Sequence, residues 1–237
     1  MTDRYAVVGN PVAHSLSPQI HAAFARQTGQ PIEYGRLLAP LAAFNSTVAQ
    51  FRDSGGKGVN VTVPFKFDAF RFCNQLTPAA IDAQAVNTLD FRDGRIIGHN
   101  TDGIGLITDL EHNLGFSIRD KRLLILGAGG AAYGIMQPLL DAHPQSVAVA
   151  NRTLEKAMSL VARLKKTDSH LSATPYDALA GMRFDLVINA TSAGLHDEMP
   201  PLPDDVFAAG ALAYEMVYGR QTPFMAFSSK CGTQTAD

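Results

Sequence analysis

The sequence predicts an α/β protein with mainly parallel sheets, arranged in two halves. Short β-branched runs alternate with longer segments of helical periodicity, which is typical of parallel strands joined by crossover helices. The length of 237 residues suits two compact domains. Apolar residues make up 46% of the chain and charged residues 18%, so each half can bury a core of its own.

Charge and composition exclude several classes of protein. The chain has 20 Lys+Arg and 22 Asp+Glu, which gives a net charge of −2. It has no run of Lys and Arg that could bind the phosphate backbone of a nucleic acid, so nucleic-acid binding is not its main function. No apolar run approaches the roughly 18 residues of a membrane span, and the first residues lack a secretory signal. The chain has only two cysteines, too few for a disulfide framework or a zinc site. Its seven histidines lack the H-x-x-x-H spacing of metal ligands, so no metal site is predicted. We therefore expect a cytoplasmic, metal-free protein without nucleic-acid or membrane partners, and either a monomer or a homodimer.

The first half is predicted to hold three strands, two helices and a hairpin. A helix should begin at Ser17-Pro18, with Ser17 as N-cap and Pro18 in the first turn. Its apolar face would bury Ile20, Ala22, Ala23 and Phe24. The other expected elements are strands at 5–8, 32–38 and 58–63, a helix after 40 through 51, and a hairpin at 86–97 turning at 93–94.

The second half repeats the α/β alternation. A helix at 104–114, ended by Gly115, leads into a buried strand at 121–126. A strand at 146–150, a helix at 154–165 and a strand at 185–189 follow. Because the joining segment itself looks helical, we expect a fairly rigid connection between the halves.

The strand at 121–126 runs into the motif G-x-G-x-x-A, followed by a helix. Gly127 permits a tight turn, Gly129 lets a pyrophosphate approach the backbone, and Ala132 allows close helix packing. The helix N-terminus offers N–H groups to the phosphates. A structural glycine turn would look the same, but the flanking strand and helix favour a Rossmann-like dinucleotide site.

The next strand ends in Asn151-Arg152-Thr153, where an NAD site would place a carboxylate on the ribose 2′-hydroxyl. A guanidinium pairs with a 2′-phosphate, which a carboxylate would repel. Arg152 could instead be a solvated residue at the start of a helix. Its spacing from the glycines favours NADP.

Short polar side chains collect at predicted strand ends of the first half. Ser15 and Ser17 could face one side of a loop, although a turn residue and an N-cap would look the same. Asn60 and Thr62 share one face of their strand, and Lys66 follows its carboxyl end, where open α/β sheets bind ligands. Such groups suit a small polyhydroxylated substrate. The further members of this set are Asn87, Thr88, Asn100, Thr101 and Asp102.

Together these residues resemble the shikimate dehydrogenase family, NADP-dependent oxidoreductases of aromatic amino-acid biosynthesis. The resemblance covers essentially the whole chain. The matching segments are 9–18 (GNPVAHSLSP), 58–66 (GVNVTVPFK), 85–89 (AVNTL), 98–105 (GHNTDGIG), 127–131 (GAGGA), 151–153 (NRT), 189–194 (NATSAG) and 218–223 (YGRQTP).

The resemblance implies a function and a set of site residues. The activity would be reversible NADPH-dependent reduction of 3-dehydroshikimate to shikimate, in the shikimate pathway that leads to chorismate. Residues 1–101 would form a substrate-binding and catalytic domain, and 102–237 a Rossmann-like NADP-binding domain, with a cleft between them. Lys66 and Asp102 would be the catalytic pair. Shikimate would be bound by Ser15, Ser17, Asn60, Thr62, Asn87 and Tyr218, and NADP by Gly127, Ala128, Gly129, Gly130, Ala131, Asn151, Arg152, Thr153, Thr191, Met216 and Val217.

Three departures from the family pattern are visible. Phe67 follows the lysine where relatives carry an acidic residue, and Gln84-Ala85 stands where a glycine is usual. The sequence given ends at Asp237, before the family's closing helix and its substrate-binding glutamine. We therefore expect measurable NADP binding with weak shikimate binding and slow turnover. Two alternatives are a quinate/shikimate dehydrogenase that uses NAD or NADP, and a catalytically impaired dinucleotide-binding relative.

Overall fold

The computed structural model describes residues 2–164 and 170–237. It divides into two compact units, Met1–Asp102 and Gly103–Asp237, each built on a six-stranded sheet. The α/β class with mostly parallel strands is therefore confirmed. Within the described residues, no helix is both long enough and apolar enough to cross a bilayer.

The first unit has a mixed sheet with the strand order β2-β1-β3-β5-β6-β4. Strands β1, β2 and β3 run parallel, while β5 is antiparallel to both β3 and β6. The β5–β6 pair forms the predicted hairpin, and Asp93 and Gly94 in its loop both have positive φ. The strands are β1 Asp3–Gly9, β2 Ile32–Leu38, β3 Gly56–Val61, β4 Gln75–Leu76, β5 Thr88–Asp90 and β6 Ile97–His99. The helices are α1 Ser17–Thr28, α2 Phe44–Asp53, α3 Lys66–Phe72 and α4 Pro78–Ala83.

Helix α1 corrects two predictions. Leu16, not Ser17, is the N-cap, and Ser17 is the first helical residue. None of the helix residues is buried, and Ile20 and Phe24 are 42% and 54% exposed. The periodicity of α1 correctly indicates an apolar face, but it does not show whether another part of the chain covers that face. His21 is the residue of α1 whose ring stacks on the sheet, against Tyr34 of β2.

The second unit has an entirely parallel sheet with the order β12-β11-β10-β7-β8-β9. Chain order reverses between β7 and β10, which is the switch point where doubly wound sheets bind dinucleotides. Its strands are β7 Arg122–Leu126, β8 Ser146–Ala150, β9 Leu171–Thr174, β10 Phe184–Asn189, β11 Phe207–Glu215 and β12 Gln234–Ala236. Helix α5, Asp102–Thr108, begins at the last residue of the first unit and otherwise lies in the second. The other helices of the second unit are α6 Gly130–Asp141, α7 Leu154–Leu164 and α8 Pro223–Lys230.

Buried aliphatic residues on both faces of β7 explain why this strand lies at the centre. Leu123 and Ile125 pack with α6 and α7 residues, while Leu124 and Leu126 pack with Phe224 on the other face. The joining helix continues from Thr108 into a π-helical turn, Asp109–Asn113, and Gly115 at φ +64° follows it. The last residue predicted for α7, at 165, lies outside the described residues.

Candidate active site

Three chain segments of the first unit meet at the carboxyl end of β3. That strand ends at Val61, and the following turn leads to Lys66, the first residue of α3. Asn87 precedes the antiparallel strand β5, so it lies at the same edge. Its carbonyl accepts from Val61 N at 2.7 Å, and its own N–H donates to His99 O at the end of β6. Backbone pairing thus brings Lys66, Asn87 and the segment after β6 together.

Lys66 and Asp102 form an ion pair at this edge. Lys66 Nζ lies 2.5 Å from Asp102 Oδ2, and both side chains are 14% exposed. Asn87 Nδ2 donates to Asp102 Oδ1 at 2.9 Å. Asn100 Oδ1 accepts from Asp102 N at 3.0 Å, which holds the first turn of α5 in place. Both carboxylate oxygens are therefore engaged, and the lysine head is fixed beside them.

A row of uncharged groups extends from Asp102 across the sheet. Thr88 Oγ1 donates to Asn87 Oδ1 at 3.0 Å and accepts from Asn60 Nδ2 at 3.1 Å. Asn60 Oδ1 accepts from the Tyr34 hydroxyl at 2.6 Å. Three of the predicted substrate or catalytic residues, Asn60, Asn87 and Asp102, are thereby connected through Thr88.

The two predicted serines form a separate cluster ahead of α1. Ser15 is buried, and its Oγ donates to Ser17 Oγ at 3.1 Å and accepts from Ser17 N at 3.3 Å. Arg36 of β2 donates to Ser15 O through Nε at 3.1 Å and Nη2 at 2.6 Å. Ser15 Oγ thus accepts from the N–H of the first helical residue, while the N-cap position itself, Leu16, provides no side-chain cap.

Thr62, the remaining predicted residue of this unit, follows β3 and lies against β1. Its backbone N–H donates to Val8 O at 2.9 Å. A Cβ on Gly9 would collide with Thr62 Cγ2, so glycine is required at the end of β1 for the two loops to approach.

In the second unit the glycine turn lies at the switch point between β7 and β10. Gly127 has φ +104°, and a Cβ there would approach Ala190 O and Thr191 Cγ2 to 3.1 Å. Ala128 is buried beneath the turn. Gly129 is exposed, it is the N-cap of α6, and a Cβ at this position would meet nothing within 4 Å. Gly130 and Ala131 form the first turn of the helix, so their N–H groups point out of the helix end.

The predicted 2′-phosphate site follows β8 directly. Asn151 Nδ2 donates to Thr153 O at 2.8 Å, which closes the loop around Arg152. The Arg152 side chain is exposed there. No ion pair of Arg152 is found among the described residues, so within them its guanidinium can bind a phosphate without first breaking a salt bridge.

A buried carboxylate joins the cofactor residues predicted at β10 and β11. Glu215 is 0% exposed and accepts from Asn189 Nδ2 at 2.8 Å, Thr222 Oγ1 at 2.7 Å and Val217 N at 3.0 Å. Burial raises the pKa of this carboxyl, and the donated hydrogen bonds oppose that rise. Asn189 Oδ1 in turn accepts from the Thr191 hydroxyl at 2.7 Å. Glu215 therefore fixes the segments that carry Thr191 and Val217.

Met216 and Tyr218 flank Val217 in the same segment. Met216 N donates to Asn189 O at 3.1 Å, and its side chain is partly buried against the core. Tyr218 belongs to this second unit and is 49% exposed. Its assignment to the substrate stays a prediction.

Sequence reasoning did not single out Tyr34, Arg36 or Glu215. Tyr34 and Arg36 lie two positions apart on a strand, so they share a face, but nothing in the pattern of β2 marks that face as the site side. Glu215 closes an apolar run, but a glutamate at that position is usually exposed, so the sequence gives no clear signal for its burial.

Comparisons with known proteins identify the family of the chain. A family model described as shikimate dehydrogenase substrate binding domain matches residues 7–89, and one described as shikimate / quinate 5-dehydrogenase matches 109–196. The shikimate dehydrogenase (NADP(+)) of Methylobacillus flagellatus is 56% identical over 230 residues, which is 97% of this chain and 85% of that protein. The chain belongs to the shikimate dehydrogenase family.

Other shikimate dehydrogenases match the chain over nearly its whole length. The enzyme of Chromobacterium violaceum is 54% identical over 95% of this chain and 82% of its own length. The crystal structure of the Thermus thermophilus shikimate 5-dehydrogenase in complex with NADP(H) and shikimate is 33% identical, with a TM-score of 0.86 over 99% of this chain and 87% of that chain. The two-unit α/β fold is therefore that of the family.

Proposed function

We propose that the chain catalyses the reversible NADPH-dependent reduction of 3-dehydroshikimate to shikimate, as a step toward chorismate and the aromatic amino acids. The observation that carries this proposal is the Lys66–Asp102 ion pair, set within a row of amide and hydroxyl groups suited to a polyhydroxylated ring. We further propose that the first unit binds the substrate and the second the cofactor. We place the enzyme in the cytoplasm.

Oxidation of the alcohol removes a hydride from carbon and a proton from oxygen. When bound, NADP⁺ supplies the hydride acceptor. The protein must hold the hydroxyl and take its proton, which a lysine beside a carboxylate can do. We assign the proton exchange to Lys66 and Asp102 together, because a hydrogen bond joins Lys66 Nζ to Asp102 Oδ2. Asn87 keeps the carboxylate oriented during this exchange.

Substrate recognition is assigned to the polar side chains of Ser15, Ser17, Asn60, Thr62, Asn87 and Tyr218. These side chains supply both donors and acceptors, which a ring bearing several hydroxyls requires.

The direct test of the proposed activity is the absorbance of reduced nicotinamide when shikimate or quinate is added with NADP⁺ or NAD⁺. Activity with quinate and NAD⁺ comparable to that with shikimate and NADP⁺ would favour the quinate/shikimate alternative, and no activity with any pair would favour an impaired relative. Sedimentation equilibrium of the same sample distinguishes monomer from homodimer.

The glycine turn fits a dinucleotide pyrophosphate. The open space at Gly129, the N–H groups of Gly130 and Ala131, and the absence of an acidic residue in the first turn of α6 all favour bound phosphate. Asn151, Arg152 and Thr153 would hold the adenine ribose and its 2′-phosphate. Thr191, Met216 and Val217 would lie along the rest of the cofactor.

We expect Gly129→Ala to weaken NADP binding without destabilising the protein. The backbone at Gly129, φ −94° and ψ −174°, is open to alanine, and the added methyl meets no protein atom within 4 Å. That methyl would instead occupy the space proposed for the pyrophosphate. The matched control is Gly127→Ala, which should lower stability because its φ of +104° disfavours a side chain. Thermal unfolding and NADP titration of both variants measure the contrast, and unchanged NADP affinity in Gly129→Ala would contradict it.

We expect Arg152→Ala to weaken NADP far more than NAD. Loss of a charge-assisted contact to the 2′-phosphate should cost about 1.5–3 kcal/mol, or roughly 10- to 100-fold in affinity. Dissociation constants for both cofactors measure the effect, with Arg183→Ala, an exposed arginine before β10, as control. An equal loss of affinity for NADP and NAD would show that Arg152 does not bind the 2′-phosphate.

A further inference from the structure

Tyr34 connects the edge strand β2 to the residues assigned to the substrate. Its hydroxyl donates to Asn60 Oδ1 at 2.6 Å, and the same amide donates through Nδ2 to Thr88 Oγ1 at 3.1 Å. We propose that Tyr34 is a positioning residue for shikimate binding, which fixes the Asn60 amide so that its nitrogen faces the ring hydroxyls. This inference rests on the proposed function, because it takes Asn60 as a substrate contact.

The hydroxyls of Tyr34 and Thr88 favour one orientation of the Asn60 amide, which also forms a side-chain hydrogen bond with His21. The single hydroxyl hydrogen of Thr88 is donated to Asn87 Oδ1 at 3.0 Å, so Thr88 can only accept from Asn60. The Tyr34 hydroxyl donates its hydrogen on the other side of the amide. In the flipped orientation the Asn60 oxygen would face Thr88 Oγ1, which has no hydrogen left to donate, so two acceptors would lie against each other. An amide nitrogen carries two hydrogens, and Thr88 accepts one of them, which leaves the second for a substrate oxygen.

The Tyr34 ring is itself held in place from two sides. Tyr34 pairs with Tyr5 in the parallel β1–β2 register, and Val7 of β1 pairs with Asn60 of β3. The hydroxyl therefore reaches across β1 to its partner on the same face of the sheet. On the outer side the ring of His21 stacks on that of Tyr34 at 4.1 Å with an interplanar angle of 5°. The ring position does not depend on the hydroxyl, so removing the oxygen alone tests the bond to Asn60.

The decisive experiment is a double-mutant cycle between Tyr34→Phe and Asn60→Ala in the full chain. Tyr34→Phe should raise the KM for shikimate about 3- to 10-fold, the effect of losing one neutral hydrogen bond, and leave kcat and the KM for NADP within about twofold. Asn60→Ala should raise the KM for shikimate at least as much. In the Asn60→Ala background, Tyr34→Phe should have no further effect, because the group through which it acts is gone.

Two further variants make the result specific. Tyr5→Phe removes the same atom from the paired residue of β1 and should leave all constants unchanged. Thr88→Val removes both the acceptor for Asn60 Nδ2 and the donor to Asn87 Oδ1, so it should raise the KM for shikimate more than Tyr34→Phe does. The Tm of Tyr34→Phe should stay within a few degrees of the unchanged protein, which shows that its effect on KM is not caused by unfolding.

The outcomes distinguish a failure of the inference about Tyr34 from a failure of the proposal that Asn60 contacts the substrate. If Asn60→Ala leaves the KM for shikimate unchanged, Asn60 is not a substrate contact, and both the site assignment and the inference fail. If Asn60→Ala raises the KM but Tyr34→Phe does not, only the inference fails. It fails equally if Tyr34→Phe multiplies the loss in the Asn60→Ala background, since Tyr34 would then act by another route.

Discussion

Lys66→Ala is expected to lower kcat by about 10²- to 10⁴-fold, the range for removal of a positioned acid–base group. The same loss is expected for Asp102→Ala, because each residue is the partner that holds the other in place. The double variant should be little slower than either single variant, as is usual for groups that act as a unit. Steady-state turnover with saturating shikimate and NADP⁺ measures all three.

The control for this series is Lys57→Ala, which removes an exposed lysine from the same strand region. Its turnover should match that of the unchanged protein. NADP binding should persist in every variant, since the residues assigned to the cofactor lie elsewhere in the chain. Near-normal turnover in Lys66→Ala, or a double loss equal to the product of the single losses, would refute the concerted pair.

Glu215→Ala is expected to produce the largest loss of stability. It leaves the buried donors of Asn189, Thr222 and Val217 without an acceptor, at a cost on the order of 3 kcal/mol or more. The Tm should fall by about 6–12 °C. Circular dichroism during heating measures the change.

Glu215→Gln should also destabilise the protein, although glutamine has nearly the same shape. All three partners of the carboxylate donate hydrogen bonds, so the amide nitrogen of glutamine would face a donor. Glu198→Gln, the same change at an exposed position, should leave the Tm within about 1 °C. A Glu215→Gln variant as stable as the unchanged protein would show that the carboxylate is not required as an acceptor.

The sequence predicted most of the parallel strands because their residues are strongly patterned. The bounds of β2 and β8 agree exactly with the expected 32–38 and 146–150. Strand β11, Phe207–Glu215, was missed because alanine and glycine dominate its first residues and have low strand propensity. Helix α8 was missed although Thr222 caps it by accepting from Met225 N, a signal that was present in the sequence.

The site residues were identifiable by type, but their contacts were not. Lys66 and Asp102 are 36 residues apart, and their contact depends on the antiparallel hairpin that returns Asn87 to the end of β3. Alternation along a strand places side chains on a face but does not show which ones meet. The hydrogen bond from Tyr34 on β2 to Asn60 on β3 crosses β1 diagonally, and it can be deduced only from the register of all three strands.

The row of hydrogen bonds from Tyr34 to Asp102 also has a polarity. At each link the donor lies on the Tyr34 side and the acceptor on the Asp102 side, from phenol to amide to hydroxyl to amide to carboxylate. The positive ends of four successive dipoles therefore point toward the one anion, and each bond polarises the next. The row and Lys66 thus surround the Asp102 carboxylate with hydrogen-bond donors on both of its oxygens. An aspartate in place of Asn60 or Asn87 would reverse one dipole and set a second negative charge in the row, so amides rather than acids are required at both positions.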